Sequence, residues 1–186
     1  MSKMTITEAL QEIKTIGSRL EKKRASVGPY VARDSRIRDP LEKDGGSEAF
    51  ISSTRQAMSD LEERVIKIRT AIQRSNLDSS ISVGDKTRTV AEWLTWRREI
   101  SNGHKAFLQQ ISGALANLRQ QIQVQGGRFV AGALAVNEGT GPKDPPQMVV
   151  NIDERKLLAD LESLEQILGT LDGKLSLFNA TTTIEV

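Results

Sequence analysis

The chain has 186 residues, of which 38% are hydrophobic, 27% charged and only 4% aromatic, with a net charge of +2. It contains no cysteine and a single histidine, His104, which excludes disulfides, thiolate zinc sites, cysteine nucleophiles and any histidine-only metal cluster within one chain. No run of about 18 apolar residues is present to cross a membrane, and the opening MSKMTITEAL lacks the apolar centre of a signal peptide. A protein kept in the cytosol, or built into a particle there, fits these features.

With so few aromatics, Leu, Ile, Val and Ala must do most of the packing. That supply suits helices joined along narrow apolar stripes better than a thick core. Charge is also unevenly placed. Residues 79–128 carry seven basic and three acidic side chains, and residues 129–186 carry four basic and nine acidic ones. Opposite patches on one chain favour head-to-tail contacts between copies, or internal pairing.

In chain order, the first helix is expected from Thr5 to Ser26. Thr5 and Glu8 have the spacing of a capping box, in which two orphan amides at a helix start find side-chain acceptors. Ile6, Ala9, Ile13, Ile16 and Leu20 then fall on one face. Gly28-Pro29 breaks the pattern. A charged linker spans 28–47, with a short helical turn near Leu41 and Ser47 as the N-cap of the next helix. The second helix, 48–76, repeats Ile51, Thr54, Met58, Leu61, Val65, Ile68 and Ile72 at strict three-four spacing. This is the narrow stripe of a coiled coil. Asp60–Arg64 and Glu63–Lys67 have the spacing of supporting ion pairs.

Residues 80–89 alternate as a β-hairpin turned at Gly84-Asp85. Thr89 and Glu92 repeat the capping-box spacing and open a third helix over 90–124. Trp93, Leu94 and Trp96 form an aromatic patch at its start. Two lines follow, Ile100–His104–Phe107–Ile111 and Leu108–Ile111–Leu115–Leu118–Ile122, which suggests contact with more than one neighbouring helix. Asn102-Gly103 is the expected place for a kink. Gly126-Gly127 end the helix. Phe129–Val136 is apolar, the rest of 126–147 is a Gly/Pro-rich loop, and 148–150 is a short strand. Asn151 and Glu154 give a third capping box for a fourth helix over 152–177. There Leu157, Leu161, Leu164, Leu168, Leu171 and Leu175 repeat without a slip. The β-prone end ATTTIEV is expected to pair with 147–150 or with another chain.

The fold class is therefore mainly α. Four long helices form antiparallel coiled-coil-like hairpins, with a small β-hairpin and short terminal strands. The division is an N-terminal helical hairpin over 1–78 and a second half over 79–186, in one elongated unit.

Candidate chemistry is sparse. His104 lies in line with apolar residues and has no readable nucleophile or orienting partner; a place at a helix seam or its rim is its more ordinary use. Asp153, Glu154, Asp160, Glu162 and Glu165 lack the Glu-x-x-His companion of di-metal bundles and read as a solvated face. Gly139–Lys143 departs from a phosphate loop, because Pro142 intervenes and no Ser or Thr follows Lys143. Arg88, Arg97, Arg98 and Lys105, close to Trp93 and Trp96, form a basic patch that could contact nucleic acid. Tryptophans this close to a helix start usually anchor a core. Phe129–Val136 is short enough to pack locally or to clasp a neighbouring subunit. No catalytic, cofactor or metal residue is assigned.

Three stretches, ITEALQEIKTIGSRLEKKR, RDPLEKDGGSEAF and VGDKTRTVAEWLTWRRE, in this order and spacing, resemble small coiled-coil proteins of tailed bacteriophages and prophages. The resemblance covers about residues 5–100. It carries no catalytic motif. It implies a structural or assembly protein of a phage particle, at the head or the head–tail junction, located in the virion or in host cytoplasm during assembly.

Taken with the stripes, the expected function is non-enzymatic. The protein would form a homo-oligomer and bind other virion or assembly proteins through Met58, Leu61, Val65, Ile68, Ile72, Trp93, Trp96, Phe129, Leu161, Leu164, Leu168 and Leu171. The alternative is a soluble cytoplasmic assembly factor or nucleic-acid-binding adaptor.

Overall fold

The structure, a computed structural model, describes residues 3–125, 128–131 and 147–186. It is mainly helical, with four long helical segments and three two-stranded sheets among the described residues. The elements are β1 (Lys3–Thr5), α1 (Ile6–Val27), α2 (Gly46–Asp78), β2 (Ser80–Val83), β3 (Lys86–Thr89), α3 (Val90–Thr95), α4 (Ser101–Gln125), β4 (Arg128–Ala131), β5 (Gln147–Val150), α5 (Glu154–Thr181) and β6 (Thr183–Glu185). Two compact units are present: Met1–Ile81 with Thr89–Ala91 and Lys174–Val186, and Ser82–Arg88 with Glu92–Gly173.

In the first unit α1 starts where the capping box places it. The Glu8 amide donates to Thr5 Oγ1 at 3.2 Å, and the Thr5 amide donates to Glu8 Oε2 at 2.7 Å. These are two of the four donors a helix start leaves orphaned. The chain then turns through Gly28–Tyr30 and Glu42–Asp44, each one turn of 3-10 helix. The Tyr30 ring meets Phe50 edge-on at 5.1 Å, so α2 returns antiparallel to α1. Ile6, Ala9, Ile16, Leu20 and Ile68 are buried between them, with Met58, Leu61, Val65 and Ile72 packed against that core. The stripe of the second helix is therefore met by a stripe of the same chain. Arg64 also reaches across, with its Nε 2.8 Å from Glu12.

The start of α2 corrects the expected cap. Gly45 (φ 95°) and Gly46 (φ 89°) occupy the left-handed region, which a Cβ would strain, and they turn the linker into the helix. The capping group comes from eight residues upstream of Ser47. Asp39 accepts the Ser47 amide at 2.8 Å, the Ser47 hydroxyl at 2.6 Å and the Leu41 amide at 2.9 Å. Three donors hold its carboxylate down at about 2, the Ser47 hydroxyl and amide contributing most.

The C-terminal strand also differs from expectation. β6 pairs not with 147–150 but antiparallel to β1, in the register Lys3↔Glu185, Met4↔Ile184 and Thr5↔Thr183. The reason is the alternation of Thr183, Ile184 and Glu185. Ile184 turns inward and joins the core of Ile6 and Ala9, while its neighbours stay exposed. The chain's last residues thus belong with the N-terminal helices rather than with the second half.

In the second unit α4 and α5 run antiparallel. Three ion pairs fix the direction: Arg97–Asp172 (2.6 Å), Lys105–Glu165 (2.8 Å) and Arg119–Glu154. Advancing along the first helix retreats along the second. Three basic side chains of 79–128 are thus paired with carboxylates of 129–186 inside the chain. Leu108, Leu115, Leu157 and Leu164 are buried between the helices, flanked by Trp96, Ile111, Val150, Leu161 and Leu168. α5 is capped by Asp153, which accepts the Arg155 and Lys156 amides at 3.0 and 3.2 Å. The helix begins two residues later than expected, so Asp153 replaces the Asn151–Glu154 box. The hairpin forms as expected; Gly84 supplies its positive φ of 60°, and the Ser82 and Thr87 hydroxyls lie 2.6 Å apart across it. The 148–150 strand is β5, which pairs in parallel with β4 from Arg128↔Gln147 to Ala131↔Val150.

Candidate interaction surface

The third long helix contains the feature that places its side chains. Its helical hydrogen bonding is not interrupted at Asn102-Gly103. Between α3 and α4, Trp96–Ile100 form a π-turn, in which the Ser101 amide bonds the Trp96 carbonyl five residues back. Such a turn inserts one residue into a helix. Downstream of it, the buried line is Ser101, Leu108, Leu115 and Ile122, seven apart. Continuing that spacing upstream would bury Leu94. The extra residue shifts the register by one, so Trp93 is buried at 1% exposure and Leu94 is turned out. The π-turn also disturbs the carbonyl ladder, and the buried Ser101 hydroxyl answers by donating to the Arg97 carbonyl at 2.7 Å.

The tryptophans are thereby committed to packing. Trp93 and Trp96 meet edge-to-face with centroids 5.6 Å apart, and the Arg88 guanidinium lies 5.0 Å from the Trp93 ring centre. This is a cation–π contact made within the unit. A buried Trp93 presents no face on which a nucleotide base could stack.

The rest of the basic patch is paired. Arg97 is bonded to Asp172, Arg98 to its neighbour Glu99 at 2.7 Å, and Lys105 to Glu165. Lys105 beside it lowers the Glu165 carboxyl from its ordinary range. A groove of about 580 Å³ opens beside the π-turn, lined by Leu94, Arg97, Arg98, Asn102, Leu168 and Asp172. The linker of the first unit holds a second groove, of about 470 Å³, at Arg33, Arg36, Arg38 and Asp39. Its guanidinium groups are engaged as well. Arg36 bonds Asp34, Arg38 bonds Glu42, and Arg33 donates to the Ile37 carbonyl.

The candidate interface residues of the sequence separate into groups. Met58, Leu61, Val65, Ile68 and Ile72 lie in or against the core of the first unit. Trp96, Leu161, Leu164 and Leu168 lie in or against that of the second, and Trp93 and Leu171 are buried. These stripes pack against one another within the chain. Phe129 lies in β4, its backbone opposite Met148; residues 132–136 of the apolar segment and the Gly139–Lys143 loop lie outside the described residues. His104 is exposed on α4.

The sequence reading missed the face that does stay open. Of the two lines on the third helix, the one through Leu108, Leu115 and Ile122 is inward. Ile100 (53% exposed) and Phe107 (59%) point to solvent, with Gly103, Ala106, Gln110, Gly113, Ala114 and Asn117 exposed beside them. α4 has only two charged residues, Lys105 and Arg119, against eight in α5, and both are bonded to α5 carboxylates. Counting charges along that segment would have found this.

Among the described residues, no group of three or more His, Asp and Glu side chains is placed to hold a metal ion, and no helix is long and apolar enough to cross a membrane. No protein family, curated protein or solved structure matches the chain.

Proposed function

We propose that this chain is a non-enzymatic structural or assembly protein, built into a tailed-bacteriophage particle at the head or head–tail junction and acting through helix packing and contacts with other proteins. The observation that carries this reading is how its polar side chains are used. Arg64, Arg97, Lys105 and Arg119, the cations best placed for chemistry between helices, are each bonded to a carboxylate on the facing helix. There they hold two helix pairs in register. Residues 5–100 supply the setting through their resemblance to small coiled-coil proteins of tailed phages. The protein then resides in the virion, or in host cytoplasm while particles assemble.

Mass spectrometry of purified particles from a genome that encodes the chain tests this. Its peptides are expected at a stoichiometry set by the particle's symmetry, and their absence from washed particles overturns the virion assignment. The nucleic-acid-adaptor reading has less to draw on, because Arg97 and Lys105 are paired and Trp93 is buried. A mobility shift that weakens steeply with salt would restore it.

A further inference from the structure

We infer that the outward face of α4 is where a second copy of this chain docks. The inference rests on the assembly reading above and names the surface through which self-association operates. Three observations converge on that face. First, it is apolar at heptad spacing, with Ile100, Phe107 and Ala114 exposed seven residues apart. Second, it is depleted of charge. From Asn102 to Val124 the exposed residues are uncharged side chains and glycines, apart from Arg119 and the imidazole of His104. A solvated surface ordinarily mixes in about 25–35% charged residues, while charge depletion marks the centre of protein interfaces. Third, Gly103 and Gly113 sit inside the helix at a cost in helix propensity. A Cβ at either one meets no heavy atom within 4 Å, so the fold of the single chain does not require them.

The chemistry of the face selects the occupant. A two-fold contact brings a patch against itself. A face of one charge sign repels its own copy, and an acidic or basic partner calls for the opposite charge. This face carries neither. Gln109, Gln110, Asn117, Gln120 and Gln121 each offer both amide donors and a carbonyl acceptor, which pair with their own kind. The small residues Gly103, Ala106, Gly113 and Ala114 allow two backbones to approach. α4 is about 37 Å long at 1.5 Å per residue, enough for a lengthwise helix contact.

Light scattering on the full chain at 1–100 micromolar tests this with two variants, Phe107→Glu and Gly113→Leu, alongside circular dichroism (concentrations of about this order span ordinary dimer affinities). The wild type is expected to associate. Each variant is expected to weaken association at least about tenfold, the loss of roughly one well-packed contact. Gly113→Leu should keep or raise the melting temperature, because the position is exposed, a Cβ there meets no heavy atom within 4 Å, and leucine is the better helix former. It therefore decides the matter if Phe107→Glu loses helicity. A wild-type oligomer that survives Gly113→Leu overturns the assignment of this face and leaves the assembly reading standing. A wild type that stays monomeric throughout also overturns it, giving the face to a different protein, and particle composition then judges the assembly reading by itself.

Discussion

α2 and α4 resemble each other on one side and differ on the other. Both lay an apolar stripe against an antiparallel neighbour: Met58, Leu61, Val65 and Ile68 in the first case, Leu108 and Leu115 in the second. Outward, α2 shows water Glu48, Arg55, Glu62, Glu63, Lys67, Arg69 and Arg74, with Ile66 among them, whereas α4 and the π-turn before it show Ile100, Phe107, alanines, glycines and amides. The inner faces follow one rule, that a narrow stripe closes on another stripe, and they close within the chain. The outer faces are where the two helices differ in chemistry. A charged face is at rest in water. A charge-free one is the face to which the inference above assigns a second copy.

The largest effect expected is from Trp93→Ala, about 3–5 kcal/mol of unfolding free energy as for large buried aromatics, because the π-turn aligns this side chain with the buried line of α4. Urea denaturation measures it. A loss under about 1 kcal/mol would mean that Trp93 does not anchor that register. Ile68→Ala on α2 should cost about 2–5 kcal/mol. The cost should be the same at 1 and 100 micromolar protein (concentrations of roughly that range), since an intrachain contact is indifferent to mass action and an inter-copy one is not. A concentration-dependent cost would return the stripe of α2 to the interface and collapse the contrast with α4.

Smaller effects sharpen the same contrast. Ser101→Ala removes the hydroxyl that answers the Arg97 carbonyl at the π-turn and should cost about 1–2 kcal/mol in the same assay. A double-mutant cycle on Glu12 and Arg64 should give a coupling of about 0.5–1 kcal/mol, the upper range for partly exposed pairs. The equivalent cycle on Lys105 and Glu165, more open to solvent, should give less and fade with added salt. Asp39 makes stability depend on acid. Its folded pKa of about 2 lies below the ordinary 3.8, so its contribution is complete above about pH 4–5 and is lost as pH falls through 2. Asp39→Asn should remove that component from an acid titration followed by circular dichroism. An unchanged acid profile would show that Asp39 does not hold the start of α2.

How far the fold could be read from residues depended on range. Leu157 through Leu175 could be read as one buried line because periodicity is local, and Thr5–Glu8 could be read as a cap because its parts are three residues apart. The β1–β6 pairing could not, since nothing local ties Lys3 to Glu185. Nor could Asp39 capping α2 from across the linker, where the nearer Ser47 had the right chemistry in the wrong position. The π-turn was hidden for a related reason. Choosing Trp93 over Leu94 for the inward line requires knowing where the line downstream already points. The basic patch and the stripes pointed to nucleic acid and to other copies, and in the structure Arg97, Lys105 and the stripe residues meet partners within the chain. The open face of α4 was passed over because its signal is an absence of charge rather than a motif.

The chain has no cysteine of its own, so single cysteines can report which faces meet. Substitutions at Ala106, Gln110, Gly113, Ala114 and Asn117 on α4 can be compared, under mild oxidation, with Lys67→Cys and Arg74→Cys on the charged face of α2. Disulfides require Cα atoms within about 7 Å. The account predicts covalent dimers from a subset of the α4 positions spaced three or four residues apart, and none from α2. Dimers from the α2 positions at equal rate, or no dimers from any α4 position while the protein still associates, would contradict it.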